Sequence, residues 1–117
     1  MHHLTSVVTG ELKPDKTVGS LIAAIFPGGS ITGAPKIRAM EVIAEIEGQG
    51  RGVYCGSIGY FGFNGQVDLN IAIRTAMFSQ GMARFQGGGG ITARSEPAAE
   101  YEETLTKITR IMEAFAP

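Results

Sequence analysis

Cysteine, charge and long apolar runs are all scarce in this sequence. Among 117 residues there is one cysteine, Cys55, so no internal disulfide can form. A lone thiol fits a reducing compartment, and the expected location is cytoplasmic. Cys55 falls in a strand-like run, which predicts a buried structural thiol rather than a nucleophile. Charged residues make up 18%, the formal net charge is -1 and the isoelectric point is near 6.1, which argues against a nucleic-acid binder. No stretch approaches the roughly 20 consecutive apolar residues that a membrane-spanning helix needs. The opening residues lack the basic, apolar and small-residue order of a signal peptide. Internal repeats, linkers and low-complexity tracts are also missing, and the length predicts one domain.

What the chain does have is glycine. There are 17, about twice average usage for this length, within a globular composition that is 44% hydrophobic. Four of them are consecutive, Gly87 to Gly90, at the end of an apolar run. A helix signal follows, with Ser95 as a candidate N-cap and Pro97 suited to a first turn. Beyond it, Tyr101, Leu105, Ile108, Met112 and Phe115 recur at helical spacing as an apolar face. Glu100, Glu103, Lys107 and Arg110 recur on another face. One helix thus carries two carboxylates and an ammonium towards the end of a glycine loop, an arrangement suited to an anionic ligand with a divalent metal. A solvated acidic first turn with a Glu103–Lys107 i,i+4 pair accounts for the same spacing. The glycine run has neither the spacing nor the Gly-Lys-Ser/Thr ending of a P-loop, so a carboxylate held by backbone N–H groups suits it better than a nucleotide.

The rest of the pattern predicts an α+β fold, an antiparallel β-meander flanked by helices. Leu4 to Thr9 reads as a strand, and Thr17 caps a helix with Val18, Leu21, Ile22 and Ile25 on its apolar face. Phe26 to Gly29 ends that helix, Gly28 to Ala34 reads as a loop, and a helix from near Pro35 carries Ile37, Met40, Ile43 or Ala44, and Ile46 as far as Gly48. The period then changes to two. Val53 to Tyr60 reads as a strand with close packing at Gly56 and Gly59, and Asn64-Gly65 signals a type I′ hairpin. A second strand runs from Val67 to Arg74 with Arg74 on its polar face, where an arginine fork suits a carboxylate. Ser79-Gln80-Gly81 turns the chain into a third strand, Met82 to Gln86. Tyr54 reads first as a core or interface residue. His2 and His3 are either native or remnants of a tag.

Several stretches in register resemble the chorismate-utilising enzymes. They are Pro27-Gly28-Gly29-Ser30-Ile31-Thr32-Gly33-Ala34-Pro35-Lys36 with Ile37 to Glu41, then Arg51 to Tyr60, Ile73-Arg74-Thr75, Gly88-Gly89-Gly90-Ile91 and Glu100-Tyr101-Glu102-Glu103-Thr104. Phe26 to Lys36 looks most like the aminodeoxychorismate synthase component I branch; the anthranilate synthase component I branch more often has threonine where Ser30 stands. The resemblance implies part of the chorismate-binding enzyme fold, incomplete here, with chorismate as substrate and Mg2+ as cofactor. A glutamine amidotransferase subunit or domain would supply ammonia. It implies that Glu103, with Glu100 beside it, holds the magnesium. Tyr54, Arg74 and Lys107 would hold the substrate's carboxylates and enolpyruvyl group, and the backbone of Gly88, Gly89 and Gly90 a carboxylate. Ser30 and His3 would be the catalytic hydroxyl and histidine, which favours a native His3.

Arg94 departs from this resemblance, since the family usually has an aspartate there. The resemblance also covers only the C-terminal third or so of enzymes several hundred residues long. The upstream glutamates and a Pro-Ile-Lys-Gly-Thr-like motif, whose lysine is the nucleophile in the aminating branch, lie outside it. The expectation is that these 117 residues, 1–117 forming the C-terminal portion of a catalytic domain, do not catalyse alone. Two rivals stand beside that expectation: an anthranilate-forming enzyme, and a non-catalytic fragment or binding module that self-associates through an open sheet edge.

Overall fold

A computed structural model of the chain describes residues 5–115. The element order is α1 (Val18–Ile25), α2 (Gly29–Thr32), α3 (Lys36–Glu47), β1 (Ser57–Phe61), β2 (Val67–Ile71), β3 (Ala76–Ser79), β4 (Met82–Phe85) and α4 (Pro97–Glu113). The α+β class is as the sequence predicts. Among the described residues no single helix is long and apolar enough to cross a membrane.

The helices start and stop for local reasons. Thr17 and Ser20 form a reciprocal capping box at the head of α1, satisfying two N–H groups that have no partner inside the helix. Gly48 ends α3 at φ 61°, a left-handed conformation that a residue without Cβ adopts readily. The stretch read as a loop between the first two helices contains the single turn α2, closed by the Gly33 N–H donating to the Gly29 carbonyl at 2.7 Å. Ser95 does not cap α4. Its hydroxyl accepts from the Thr92 N–H at 3.0 Å, and Glu96 takes the cap position without a side-chain bond.

The strands form two separate antiparallel hairpins, β1–β2 and β3–β4, rather than one meander. After β2 the Ala72 N–H still donates to the Gly56 carbonyl at 3.0 Å, but Ile73 turns back to Ile71 at 2.9 Å. Arg74 follows at φ 53°. A non-glycine residue in that region breaks the extended path, so β3 leaves without pairing to β2. Arg74 therefore lies beyond the strand, not on its polar face, and Ala76–Ser79 is a strand that the alternation did not reveal. Turn types are also exchanged. Only Gly65 has positive φ in the first hairpin, where Gly65 N–H bonds the Gly62 carbonyl at 3.0 Å, a type I turn with a glycine bulge. Gln80 and Gly81 have φ 52° and 74° in the second, the paired positive values of a type I′ turn.

Two other expected strand segments are not strands. Residues 5–9 are irregular, with Val7 91% and Val8 92% exposed; no strand among the described residues offers them a ladder. Residues 52–55 form turns before β1, with Cys55 at φ 65°. Cys55 is accordingly half-buried in a turn rather than buried in a strand.

The core is almost absent. Ala72 is the one buried apolar residue among those described. A compact monomer of this mass would expose about 6,100 Å², whereas this chain exposes 9884 Å². Its radius of gyration is 16.9 Å, against about 13 Å for a compact domain of this length. The amphipathic faces therefore remain open. On α4 the half-buried positions are Glu100, Thr104, Leu105, Lys107, Ile108 and Ile111, while Tyr101 and Met112 of the predicted apolar face are exposed. On α3, Ala39, Val42 and Ile43 turn inward while Ile37 and Met40 point out. Edge-to-face contact of Phe115 with Phe78 at 5.5 Å, and stacking on Phe85 at 6.3 Å, hold the C-terminal end of α4 to the second hairpin.

Close packing at Gly59 yields a prediction. A β-carbon there would run into the Asp68 carbonyl and lie 2.8 Å from the Leu69 Cα. Gly59→Ala should destabilise the β1–β2 hairpin by about 1–3 kcal/mol, read as lost amide-exchange protection across β1 and β2. Gly10→Ala, in open space, should leave that protection unchanged.

Candidate active site

The second hairpin delivers residues 87–90 onto helix α4, and glycine permits the approach. A β-carbon on Gly87 would run into Ile108 Cγ2, and one on Gly88 would lie 2.8 Å from the Tyr54 hydroxyl oxygen. One on Gly89 would lie 3.1 Å from Glu100 Oε2, 3.5 Å from Lys107 Nζ and 4.0 Å from Glu103 Oε1. Two carboxylates, an ammonium and a phenol therefore converge on two adjacent glycines. Lys107 Nζ donates to the Gly88 carbonyl at 3.3 Å and pairs with the Glu103 carboxylate one turn away. Among the described residues no acceptor takes the N–H groups of Gly88, Gly89 or Gly90. Unpaired backbone donors beside an ammonium favour an anion.

The loop forms one wall of a cavity of about 770 Å³. Ser30, Tyr54, Gly88, Gly89, Gly90 and Lys107 all line it. The opposite wall is apolar, from Ile31, Ala39, Val42, Ile43 and Ile46. Glu100 and Glu103 reach the loop at Gly89 from α4 without lining the cavity. Arg74 also stands outside the lining; its Nη1 donates to the Lys107 carbonyl at 3.0 Å and ties the chain after β2 to α4. His3 lies outside the described residues.

The wall also includes Glu47 and Arg51, to which the sequence assigned no role, and Cys55, read there as a structural thiol. Arg51 Nε and Nη2 donate to Glu47 Oε2 and Oε1 at 2.8 and 2.5 Å. The guanidinium lies 5.6 Å from the Tyr54 ring centroid, with Nη1 3.7 Å from Cys55 Sγ. The hydrogen bonds from Arg51 hold the Glu47 carboxyl below the usual carboxylate range, and Glu47 in return raises the guanidinium. Burial, then the neighbouring Cys55, pushes the Tyr54 phenol up, so it stays a protonated donor at neutral pH. The i,i+4 spacing of Glu47 and Arg51 was the available signal, but Gly48 ends the helix between them and hides it.

Two carboxylates, Glu100 and Glu103, stand at one loop. Among the described residues no group of three or more His, Cys, Asp or Glu side chains is placed to hold a metal. Glu100 and Glu103 alone suit a hard cation that keeps several waters and ligand oxygens, as magnesium does.

A glycine loop thus lies against a helix carrying two carboxylates and a lysine, beside a cavity with an apolar wall. The sequence model for the chorismate binding enzyme family matches residues 1–113, and the chain belongs to that family. It is 54% identical over 112 residues to aminodeoxychorismate synthase component 1 of Klebsiella aerogenes, covering 96% of this chain and 25% of that protein. It is 49% identical over 114 residues to anthranilate synthase component 1 of Pseudomonas putida, covering 97% of this chain and 23% of that protein. The crystal structure of anthranilate synthase component I from Streptococcus pneumoniae TIGR4 matches with a TM-score of 0.79 and 46% identity, over 84% of this chain and 22% of that one. The chain thus spans about a quarter of the length of these relatives.

Because its folded pKa is lowered, Glu47 contributes stability that is fully present above about pH 4.3, the unfolded value, and is lost as pH falls through the lower folded value. The pair is partly exposed, so the contribution is below about 1 kcal/mol. Carboxyl-carbon NMR titration should place the Glu47 midpoint below the ordinary range, and Arg51→Met should return it upward. A midpoint unchanged by Arg51→Met would contradict the pairing.

Proposed function

We propose that this chain supplies the glycine-loop wall and the helix carboxylates of a chorismate site, in an enzyme of aminodeoxychorismate synthase component I type. The observation carrying this reading is the convergence of Tyr54, Glu100, Glu103 and Lys107 on Gly88 and Gly89. Chorismate is a dianion with an apolar ring. A half-apolar cavity with free N–H donors and an ammonium at one end suits it, and a 54% identical relative carries the aminating name. In this reading the N–H groups of Gly88 to Gly90 and Lys107 Nζ take one carboxylate. Tyr54 donates its hydroxyl to the same end, and Arg74 fixes the Lys107 turn. Glu100 and Glu103 would hold magnesium, which supplies charge neutralisation at the second carboxylate when bound. Ser30 stands at the ring, and His3 is assigned the acid–base role. Ammonia, delivered by a glutamine amidotransferase partner, replaces a ring hydroxyl that leaves as water. A cytoplasmic location belongs to the same reading.

We further propose that residues 1–117 are the C-terminal portion of the catalytic domain. The surface open beyond that of a compact monomer, and the relatives' three-quarters outside the match, support this. A second reading, anthranilate formation with loss of pyruvate, is favoured by the 49% identical relative and the 46% identical structure. Product identity separates the two.

Calorimetric titration with chorismate tests the reading. It uses the chain alone and together with the remaining polypeptide of the Klebsiella relative. The expected result is magnesium-dependent binding, weakened about tenfold or more in Glu103→Ala, in at least the combined sample. Binding indifferent to magnesium and to Glu103, or no binding in either sample, would overturn it. Self-association of the chain without chorismate affinity would favour the non-catalytic alternative.

A further inference from the structure

Glu47 occupies an unfavourable place. It is the last residue of α3, where the carbonyl end of the helix repels a carboxylate. Yet its carboxyl is held in the charged form, because Arg51 closes a two-bonded fork on it at 2.8 and 2.5 Å across the Gly48 turn. Among the ion pairs of the described residues this one is well covered: its side chains are 23% and 34% exposed, against 60% and 55% for Arg38 and Glu41. The fork fixes the plane of the guanidinium, and its Cζ lies over the Tyr54 ring, 5.6 Å from the centroid. The ring ends in the hydroxyl that stands over Gly88, where even a β-carbon would come within 2.8 Å. Tyr54 sits in the turn before β1, its N–H donating to the Arg51 carbonyl at 3.2 Å while the next residue, Cys55, donates to the Ala72 carbonyl at 3.0 Å. With the backbone anchored on either side, the ring's direction rests on what its side chain meets, Arg51 at one end and Gly88 at the other.

We propose that the Glu47–Arg51 pair is a positioning device for the site: Glu47 clamps Arg51, and Arg51 holds the Tyr54 hydroxyl against the glycine loop. Neither residue touches the ligand in this assignment. Arg51 acts through Tyr54, and Glu47 acts through Arg51. A lysine at 51 would keep the charge but not the planar fork or its stacking, so geometry rather than charge is the requirement. The identity of the ligand rests on the chorismate reading; the positioning itself does not.

The test uses the full chain carrying Tyr60→Phe and Tyr101→Phe, which leaves Tyr54 as its one tyrosine. Both replaced rings are exposed, at 56% and 63%. Proton NMR then reads the through-space contact between the Tyr54 ring and Gly88, with the β1–β2 cross-strand contacts as the control for folding. The contact should be present in this background, lost in Arg51→Met, and weakened in both Arg51→Lys and Glu47→Gln, with the hairpin contacts kept in all. Chorismate affinity, measured on the same samples with the complementing polypeptide, should fall about tenfold in Arg51→Met. A ring contact that persists in Arg51→Met, or that is absent from the parent, overturns the proposal. If Arg51→Met loses its hairpin contacts, Arg51→Lys and Glu47→Gln decide, and an undiminished ring contact in both overturns it. Loss of the ring contact with no chorismate binding by the parent upholds the positioning role and overturns the substrate reading instead.

Discussion

Gly87 meets helix α4 at a distance that leaves no room for a β-carbon, and the site depends on that approach. Ile108 occupies the space a side chain at 87 would take, and Tyr54, Glu100 and Lys107 crowd the next two positions. Everything that brings these groups together follows from it. The type I′ turn at Gln80-Gly81 returns β4 towards α4, and Phe115 clasps Phe78 and Phe85 to fix the far end of the helix. Lys107 then reaches the Gly88 carbonyl, and Arg74 reaches the Lys107 carbonyl. A short series of polar contacts thus ties the end of β2 to the loop through one turn of α4.

Against that local definition stands the weakness of the rest of the packing. With Ala72 as the buried apolar residue among those described, hydrophobic burial contributes far less than in a compact domain. Order in the chain comes from caps, hairpin ladders and ion pairs, each worth about 1 kcal/mol or less. Large apolar side chains, Ile37, Ile46, Phe78 and Ile91 among them, remain at the surface. A site whose walls are held by polar contacts but whose faces are open is a site that further polypeptide can complete.

Turn chemistry shows where local sequence is decisive and where it is not. Thr17 with Ser20 and Gly48 specify their helix ends, because a cap is satisfied within a few residues of itself. Asn64-Gly65 and Gln80-Gly81 are both compatible with a type I′ turn, yet only the second adopts it. The Gly62 N–H and Gln66 carbonyl close the first hairpin one residue wider, at 2.7 Å, and the wider closure selects the other turn. Ser95 likewise had two acceptable uses, and the Thr92 N–H took it.

Sequence alone determined the α+β class, helices α1, α3 and α4, the glycine loop, and the family through its motifs in register. It also placed Glu100, Glu103 and Lys107 on successive turns of one helix face, since helical spacing is a local property. Only the tertiary structure decided that the strands form two hairpins, because the left-handed Arg74 redirects the chain and alternation carries no record of pairing. It decided too that residues 5–9 are not a strand, since a strand needs a partner and alternation does not supply one. The tertiary structure also brought Glu47 and Arg51 beside Tyr54 and carried Gly88 and Gly89 to the side chains they meet. The contacts at Gly88 and Gly89 join residues 11 to 34 positions apart, a meeting that no local period encodes, while Glu47, Arg51 and Tyr54 lie close in sequence but across the Gly48 turn that ends their helix.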